Sequence, residues 1–315
     1  MAIVNQMTSY DLNGKKLSFA NWISNISPTD TPFTSMTGKE GVTQTTFQWQ
    51  TDVLPPVDLT NAQIEGSKPT DAAIIKTTVK QNNTQILRKV VQVSDTANIV
   101  AAYGRGREVQ YQMEKAGAEI KRDLEFALLT QGDAVAGSAS TARTTAGFTG
   151  LVAALNAADT DTGAIVHKKT STAGKFTEAQ LFDLTYELYL ANSKANVIMF
   201  HPQHAAAFAG LVENADNVAG VNREKMFCST DDKLNVFVDT VIDPLGQKFA
   251  LVPNRFMPAD KIYFFNPSDW TQMVFRAPQR TELAKEGSYE KWMIEMEVGL
   301  RHRNPYASGV LELVA

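Results

Sequence analysis

The chain has 315 residues, and its 30 Lys and Arg against 34 Asp and Glu give a formal net charge of −4, so it lacks the basic field of a dedicated nucleic-acid binder. Its length exceeds what one hydrophobic core comfortably serves, so we expect more than one packing region, and a hydrophobic share of 43% argues against a disordered chain. The one cysteine, Cys228, excludes an intramolecular disulfide and a multi-thiolate metal site, and no apolar run approaches the roughly 18 residues of a membrane-spanning helix.

Residues 1 to 40 are predicted to form an extended arm. The stretch is polar, carries Pro28 and Pro32, and has only scattered apolar anchors such as Trp22, so it cannot build a core of its own. A neighbouring subunit is a candidate for holding it. Because no basic segment followed by an apolar stretch opens the chain, we expect no secretion signal and synthesis in the reducing interior of a cell.

Three β-rich runs follow the arm: Val42 to Leu54, Ile74 to Lys80 and Thr84 to Ser94. Apolar and polar residues alternate in the first and third runs, and we interpret the set as one long β-hairpin with an elaborated tip. An isolated two-stranded ribbon is marginal in water. Phe47, Trp49 and Ile86 are therefore expected to need a surface from elsewhere.

The longest predicted helix covers residues 107 to 132, just after Gly104 and Gly106. Its apolar positions step by three or four: Val109, Met113, Ala116, Ile120, Leu124 and Leu128. Gly132 is a predicted C-terminal cap. A solvated or inter-subunit face is expected from the charged residues: Glu114, Lys115, Glu119, Lys121, Arg122, Asp123 and Glu125.

The rest of the chain is predicted to be an irregular link with a short helix, then a compact α+β unit, then a β-region. The link is Asp133 to Ala173. The α+β unit contains helices at Phe176 to Leu190 and Gln203 to Val212, and strands at Asn196 to Phe200, Val236 to Ile242 and Phe249 to Val252. The final strands are Lys261 to Phe265, Thr271 to Arg276, Trp292 to Arg303 and Gly309 to Val314.

Few residues in the sequence indicate a catalytic, metal-binding or phosphate-binding site. His201 and His204 have a spacing that can place two imidazoles on one helix face, but no third ligand motif accompanies them, so we predict that His201 and Pro202 only close a strand and start a helix. Gly104 to Arg107 lacks the lysine and hydroxyl pair of a phosphate loop, and Cys228 has no context for a nucleophile. We predict no cofactor and no metal. A catalytic pair assembled from distant segments stays open.

The order of arm, hairpin, long helix, α+β unit and closing strands resembles that of the major capsid (major head) proteins of tailed bacteriophages, which have the Johnson or Hong Kong 97-like fold. Four stretches carry the resemblance: NNTQILRKVVQVSDTANIV (Asn82 to Val100), GREVQYQMEKAGAEIKRDLEFALL (Gly106 to Leu129), ARTTAGFTGL (Ala142 to Leu151) and VGLRHRNPYASGVLELV (Val298 to Val314). The resemblance covers most of the chain and is weakest between residues 155 and 250.

The resemblance implies an α+β chain in five parts. They are an N-arm (1 to 40), an E-loop (41 to 96), the spine helix and linker of the P-domain (97 to 174), an A-domain (175 to 255) and the remaining P-domain strands (256 to 315). The E-loop would lie over an adjacent subunit, the arm would reach another, and the A-domain would cluster around the five- and six-fold axes. The candidate inter-subunit contacts are Trp22, Phe47, Trp49, Ile86, Arg88, Lys89, Glu114, Lys115 and Arg122.

The implied function is structural: hexamers and pentamers form an icosahedral shell, assembled in the host bacterial cytoplasm, that becomes the virion capsid. Expected partners are a separate scaffolding protein, a portal protein, a decoration or cement protein, and double-stranded DNA held by weak nonspecific contact, with Lys15 and Lys16 as candidates. The alternatives are an encapsulin-like nanocompartment shell, which would carry a cargo-peptide pocket, and a non-capsid virion protein or enzyme, which would gather titratable residues in one cleft.

Overall fold

The computed structural model describes residues 27–55, 57–58, 60–69, 71, 74–100, 106–156, 166–169, 176–208 and 239–313. Trp22, Lys15, Lys16 and Cys228, for which the sequence makes predictions, lie outside these residues. The helices are α1 (Pro32–Met36), α2 (Asp95–Ile99), α3 (Glu108–Thr130), α4 (Phe148–Asn156) and α5 (Glu178–Leu190). The strands are β1 (Gly38–Gly41), β2 (Thr46–Thr51), β3 (Thr78–Asn83), β4 (Gln85–Ser94), β5 (His167–Lys169), β6 (Val197–Phe200), β7 (Thr240–Ile242), β8 (Lys248–Pro253), β9 (Lys261–Phe265), β10 (Trp270–Leu283), β11 (Tyr289–His302) and β12 (Gly309–Glu312).

The strands form three sheets. A four-stranded sheet has the order β1-β10-β11-β4, and a six-stranded sheet has the order β5-β12-β9-β6-β8-β7. The third sheet is the antiparallel pair of β2 and β3. Helix α3 packs across the four-stranded sheet, mainly against β4. The predicted α+β class is confirmed.

The predicted long hairpin contains one strand that the structure pairs elsewhere. β2 pairs with β3 from Thr46 opposite Asn83 to Thr51 opposite Thr78, but the next run leaves this pair, because β4 pairs with β11. An alternating strand pattern specifies which face is buried and not which strand lies alongside. The longest hairpin is instead β10 with β11, each 14 residues long, where the sequence predicted two shorter strands.

Helix α3 confirms the predicted long helix, since its apolar stripe from Val109 to Leu128 is buried. Two predictions about it are wrong. Glu125 does not lie on the charged outer face but is fully buried. Gly132 is not a left-handed cap: α3 ends through Gln131 in an extended conformation, and the Gly132 carbonyl accepts a 3.1 Å hydrogen bond from the Gly147 backbone N–H. Gly150 is required beside it, because a Cβ there would lie 2.2 Å from the Gly132 oxygen.

Most of the buried hydrophobic side chains in the described residues belong to one cluster, where the sequence predicted more than one packing region. Phe33 joins the parts of the chain: its ring centroid lies 6.1 Å from that of Phe148, 5.6 Å from that of Phe265 and 5.9 Å from that of Trp270. The arm thus contributes an aromatic residue to the centre of the core. The described residues between 52 and 77, at the end of the β2–β3 pair, add no buried side chain to it.

His302 is a buried polar residue inside this cluster. Its ring stacks on Trp270 with a centroid distance of 4.0 Å, and its Nε2 lies 2.9 Å from Ser308 Oγ, which also accepts the Trp270 indole N–H at 3.0 Å. Burial lowers the pKa of His302 from 6.5 to about 3. The folded chain therefore holds this imidazole neutral near neutral pH.

This burial makes a prediction about acid stability. The unfolded chain takes up a proton at His302 near pH 6.5, whereas the folded chain does so only near pH 3, so the free energy of unfolding falls as the pH drops below about 6.5. The slope approaches roughly 1.4 kcal/mol per pH unit. His302→Phe, which keeps an aromatic ring on Trp270, should remove this contribution between pH 7 and pH 5 in urea unfolding. His167→Phe is the control and should keep it; equal slopes in the two variants would contradict the prediction.

Candidate assembly surfaces

The two histidines considered as metal ligands have structural partners. His201 Nδ1 accepts a 3.3 Å hydrogen bond from the Gln203 backbone N–H, and buried His204 places Nε2 2.7 Å from the Ala259 carbonyl oxygen. Among the residues that the structure describes, no group of three or more His, Cys, Asp or Glu could hold a metal ion. In the same residues, no helix is long and apolar enough to cross a membrane.

The base of the β2–β3 hairpin is anchored on its own chain. Phe47 is only 7% exposed, and its ring lies against Gly299 of β11, where an added Cβ would come within 2.6 Å of Phe47 Cε1. Trp49 is half-buried and stacks on Phe47 with a centroid distance of 6.0 Å. The expectation that Phe47 needs a surface from another subunit is corrected, because β11 provides that surface.

Hydrogen bonds orient the hairpin base. The side chain of Asn82 is 1% exposed; its Nδ2 donates to the Leu300 carbonyl at 2.6 Å, and its Oδ1 accepts from the Ala146 backbone N–H at 2.8 Å. Two residues later, Thr84 Oγ1 donates to Glu297 at 2.6 Å. The point where β3 passes into β4 is therefore fixed by directional contacts to β11 and to the linker before α4.

Arg88 and Lys89, predicted to contact a neighbouring subunit, have partners in their own chain. Arg88 Nη2 lies 2.5 Å from Glu295, which also contacts Arg276 at 2.6 Å. Lys89 lies 2.8 Å from Asp123 of α3, and this hydrogen bond raises the pKa of the Lys89 ammonium group. These pairs hold β4 against β11 and α3.

The described residues between 52 and 77, which we call the tip, carry exposed apolar side chains. Four large aliphatic side chains are almost fully exposed there: Leu54 (88%), Val57 (90%), Ile64 (83%) and Ile74 (92%). Exposed apolar surface is typical of sites that contact another molecule. The sequence predicted that the whole hairpin needs a surface from elsewhere, and in the structure this holds for the tip.

A groove lies beside β4, between that strand and α3. Its volume is about 500 Å³, and it is lined by Val90, Val91, Gln92, Val93, Ser94, Ala97, Glu108, Gln112, Lys115, Ala116 and Glu119. Five consecutive β4 residues, Val90 to Ser94, line it. The α3 residues fall on one stripe of the helix. We call this feature the β4 groove.

Glu125 joins the arm to the rest of the subunit. Its Oε1 accepts 2.8 Å and 2.7 Å hydrogen bonds from the Phe33 backbone N–H and from Asn254 Nδ2, and its Oε2 accepts a 2.8 Å bond from the Thr34 backbone N–H. Sequence analysis missed this role, because glutamate on an amphipathic helix usually faces solvent. Leu129 is the signal that could have revealed it: a second leucine beside Leu128, four residues after Glu125, widens the buried stripe toward that position.

The other predicted contact residues remain accessible to different degrees. Glu114 and Lys115 are exposed on α3, and Ile86 is 45% exposed on the outer face of β4. Arg122 is half-buried, with its guanidinium carbon 5.7 Å from the centroid of the Phe256 ring.

Gly299 gives a test of the hairpin anchor. Gly299→Ala should push the Phe47 ring off β11, since the added Cβ would also lie 2.9 Å from the Asn83 carbonyl oxygen, and overpacking of this kind costs about 1–3 kcal/mol. We expect a lower urea midpoint and faster amide exchange in residues 46–83. Gly41→Ala in β1, where the Cβ meets nothing within 4 Å, is the control. An equal decrease in the urea midpoint of both variants would contradict the packing of Phe47 against Gly299.

Glu125→Gln tests the attachment of the arm. The amide keeps the size of the side chain but turns an N–H₂ group toward backbone donors, leaving at least one of them unpaired at a cost of about 1–3 kcal/mol. We expect faster amide exchange at residues 33–37 than in the wild type. Glu114→Gln, on the exposed face of the same helix, should exchange as the wild type does; indistinguishable variants would contradict the role of Glu125 in holding the arm.

Comparison with known proteins relates this arrangement to viral shells. A family model described as SU10 major capsid protein matches residues 4–315. The major capsid protein of Escherichia phage Phieco32 is 52% identical over 348 aligned positions, which cover 99% of this chain and 97% of that protein.

Solved structures share the fold at low sequence identity. The capsid of the native GTA particle has a TM-score of 0.72 at 13% identity, with 98% of both chains covered, and the cyanophage A-1(L) capsid has a TM-score of 0.65 at 13% identity, again with 98% of both covered. The holo-SrpI encapsulin complex from Synechococcus elongatus has a TM-score of 0.59 at 13% identity, covering 95% of this chain and 92% of that one. The resemblance to phage major capsid proteins and the Hong Kong 97-like fold are confirmed. The chain belongs to the SU10 major capsid protein family.

Proposed function

We propose that this subunit contacts its neighbours in hexamers and pentamers through its hairpin tip and its arm. These hexamers and pentamers form the icosahedral shell of a phage. The observation that carries the proposal is the tip, where Leu54, Val57, Ile64 and Ile74 find no cover in the described part of their own chain. A closed shell gives each tip the surface of a neighbouring copy.

The physical basis is burial repeated many times. Covering one large aliphatic side chain contributes roughly 1.5–3 kcal/mol, and part of this is offset by the entropy lost on association. A single contact between two subunits is therefore weak. In a closed lattice every subunit makes the same contact, so the geometry of the shell turns many weak contacts into a cooperative assembly.

The five parts of the chain take the roles that the resemblance implies. Residues 1 to 40 form the arm, 97 to 174 the spine helix and linker, 175 to 255 the A-domain around the symmetry axes, and 256 to 315 the remaining P-domain strands. Within the E-loop of 41 to 96, the part that reaches a neighbour is the tip. Trp22, Ile86, Glu114, Lys115 and Arg122 are further inter-subunit contacts in this proposal, and Phe47, Trp49, Arg88 and Lys89 act through the position of the hairpin and β4.

The proposed partners follow from shell assembly. They are a separate scaffolding protein, a portal protein, a decoration or cement protein, and enclosed double-stranded DNA in weak contact with Lys15 and Lys16. The shell assembles in the cytoplasm of the host bacterium. No catalytic step is part of the proposal. The identity of 52% to a phage major capsid protein favours this function over a nanocompartment shell, although the fold is common to both.

Replacing Leu54 and Ile64 by serine tests the proposal. Because both side chains are exposed, the thermal stability of the isolated subunit should stay unchanged, while the yield of closed shells should fall at least tenfold. The chain is co-expressed with a scaffolding protein and studied by size-exclusion chromatography and electron microscopy. Replacing the polar tip residues Asn61 and Gln63 by serine is the control and should leave the yield intact. Shells at the normal yield from the first variant would contradict the role of the tip, and a wild-type chain that stays monomeric in every condition would contradict shell assembly itself.

A further inference from the structure

A segment with a strand sequence lies unpaired at the tip. The sequence predicts a strand from Ile74, but pairing in the hairpin begins only at Thr78, opposite Thr51. Residues Ile74 to Thr77 are exposed and have no strand partner among the described residues. Ile and Thr favour extended backbone on a half-buried surface. The segment therefore has the composition of a strand and lacks the neighbour that would complete one.

The complementary feature is the outer edge of β4. This strand is the last of its sheet, so one side of its backbone is unpaired in the part of the chain that the structure describes. Natural proteins protect such edges with free lysines, prolines or bulges. β4 carries no proline, and its lysine, Lys89, is turned onto Asp123 of α3. Among the described residues, no strand pairs with this edge of β4, and residues Val90 to Ser94 of the same strand line the β4 groove.

Extended backbone separates the unpaired segment from the groove of its own chain. β3 ends at Asn83 and β4 begins at Gln85, so the chain runs on from the hairpin into the edge strand. The 12 steps from Thr78 to Val90 have a contour length of about 40 Å at 3.3 Å per residue. A second copy can bring the segment and the groove together, and in a ring of subunits this contact is heterologous, linking each subunit to the next.

We infer that Ile74 to Thr77 of one subunit adds as a strand to the free edge of β4 in the next subunit and lies in the β4 groove against α3. Backbone hydrogen bonds to the edge supply the attachment, as in other cases of strand addition. Ile74 covers the apolar floor at Val91, Val93 and Ala116. Lys76 lies by Glu108 and Glu119. These two acidic residues and the one basic residue, Lys115, give the groove lining a net negative charge. The inference rests on the proposed function and names the surface that receives the tip.

A charge exchange tests this pairing. Lys76→Glu should lower the yield of shells at least tenfold, because the new carboxylate would face Glu119, and Lys68→Glu, an equal change elsewhere on the exposed tip, should alter it less than twofold. Adding Glu119→Lys to Lys76→Glu should restore the yield to within threefold of the wild type. Adding Glu114→Lys, on the same helix outside the groove, should not. Melting of each isolated variant is measured to show that the subunit still folds.

Cross-linking provides a second measurement that does not depend on closed shells. In a Cys228→Ser background, the pair Ile74→Cys and Gln92→Cys is treated with a short bis-maleimide at high protein concentration. A ladder of covalent multimers is expected, and the pair Ile74→Cys and Lys121→Cys should give none. Shells without a ladder and without charge rescue would overturn the inference and leave the proposed function standing. A chain that gives neither shells nor a ladder would overturn both, and a ladder shared by both cysteine pairs would overturn the assignment to the groove.

Discussion

The carboxylate of Glu125 has no exposure to solvent, and a buried charge of this kind is stable only where hydrogen-bond donors surround it. Its donors come from the arm and from the segment after β8, while Glu125 itself belongs to α3. One group therefore fixes the arm, the spine helix and the six-stranded sheet relative to one another. The β4 groove depends on the same interaction, because α3 forms one wall of it. Loss of the carboxylate would leave donors in two separate segments unpaired at once.

The same principle applies at the other junction, where the hairpin meets the four-stranded sheet. The side chain of Glu297 is 2% exposed; it accepts a hydrogen bond from Thr84 and forms ion pairs with Arg143 and Arg276. The side chain of Asn82 is hydrogen-bonded to β11 and to the linker before α4. Apolar burial brings these segments together but has no preferred direction. Hydrogen bonds and ion pairs in a region of low dielectric constant do have one. Buried polar groups thus lie where the chain passes from one sheet to another, and their directional contacts fix the base of the hairpin on the four-stranded sheet.

The sequence predicts those structural features that depend on residues close together along the chain. The stripe of α3, the leucines of α5 and the buried run of β6 all follow from local periodicity, and the structure confirms each. The partner of β4 could not be predicted, since its alternating pattern fits any strand that offers an apolar face. The length of β10 was missed because its outer half is polar and exposed. Glu125 was placed on the surface by residue type, and only tertiary structure shows its donors. The need of the hairpin for a neighbour was predicted, but at Phe47 rather than at the tip.

These corrections change how the subunit is expected to assemble. A hairpin anchored through Phe47 on its own β11 is held at its base, and its exposed tip is the part left for a neighbour. In the contact proposed above, the unpaired segment and the edge strand β4 belong to one continuous stretch of chain, so each subunit of a ring gives a strand to one neighbour and receives one from the other. Within the subunit, the polar groups at Asn82, Glu297 and Glu125 hold together the elements that make this contact. Folding of the single chain thereby prepares both surfaces that the proposed contact needs.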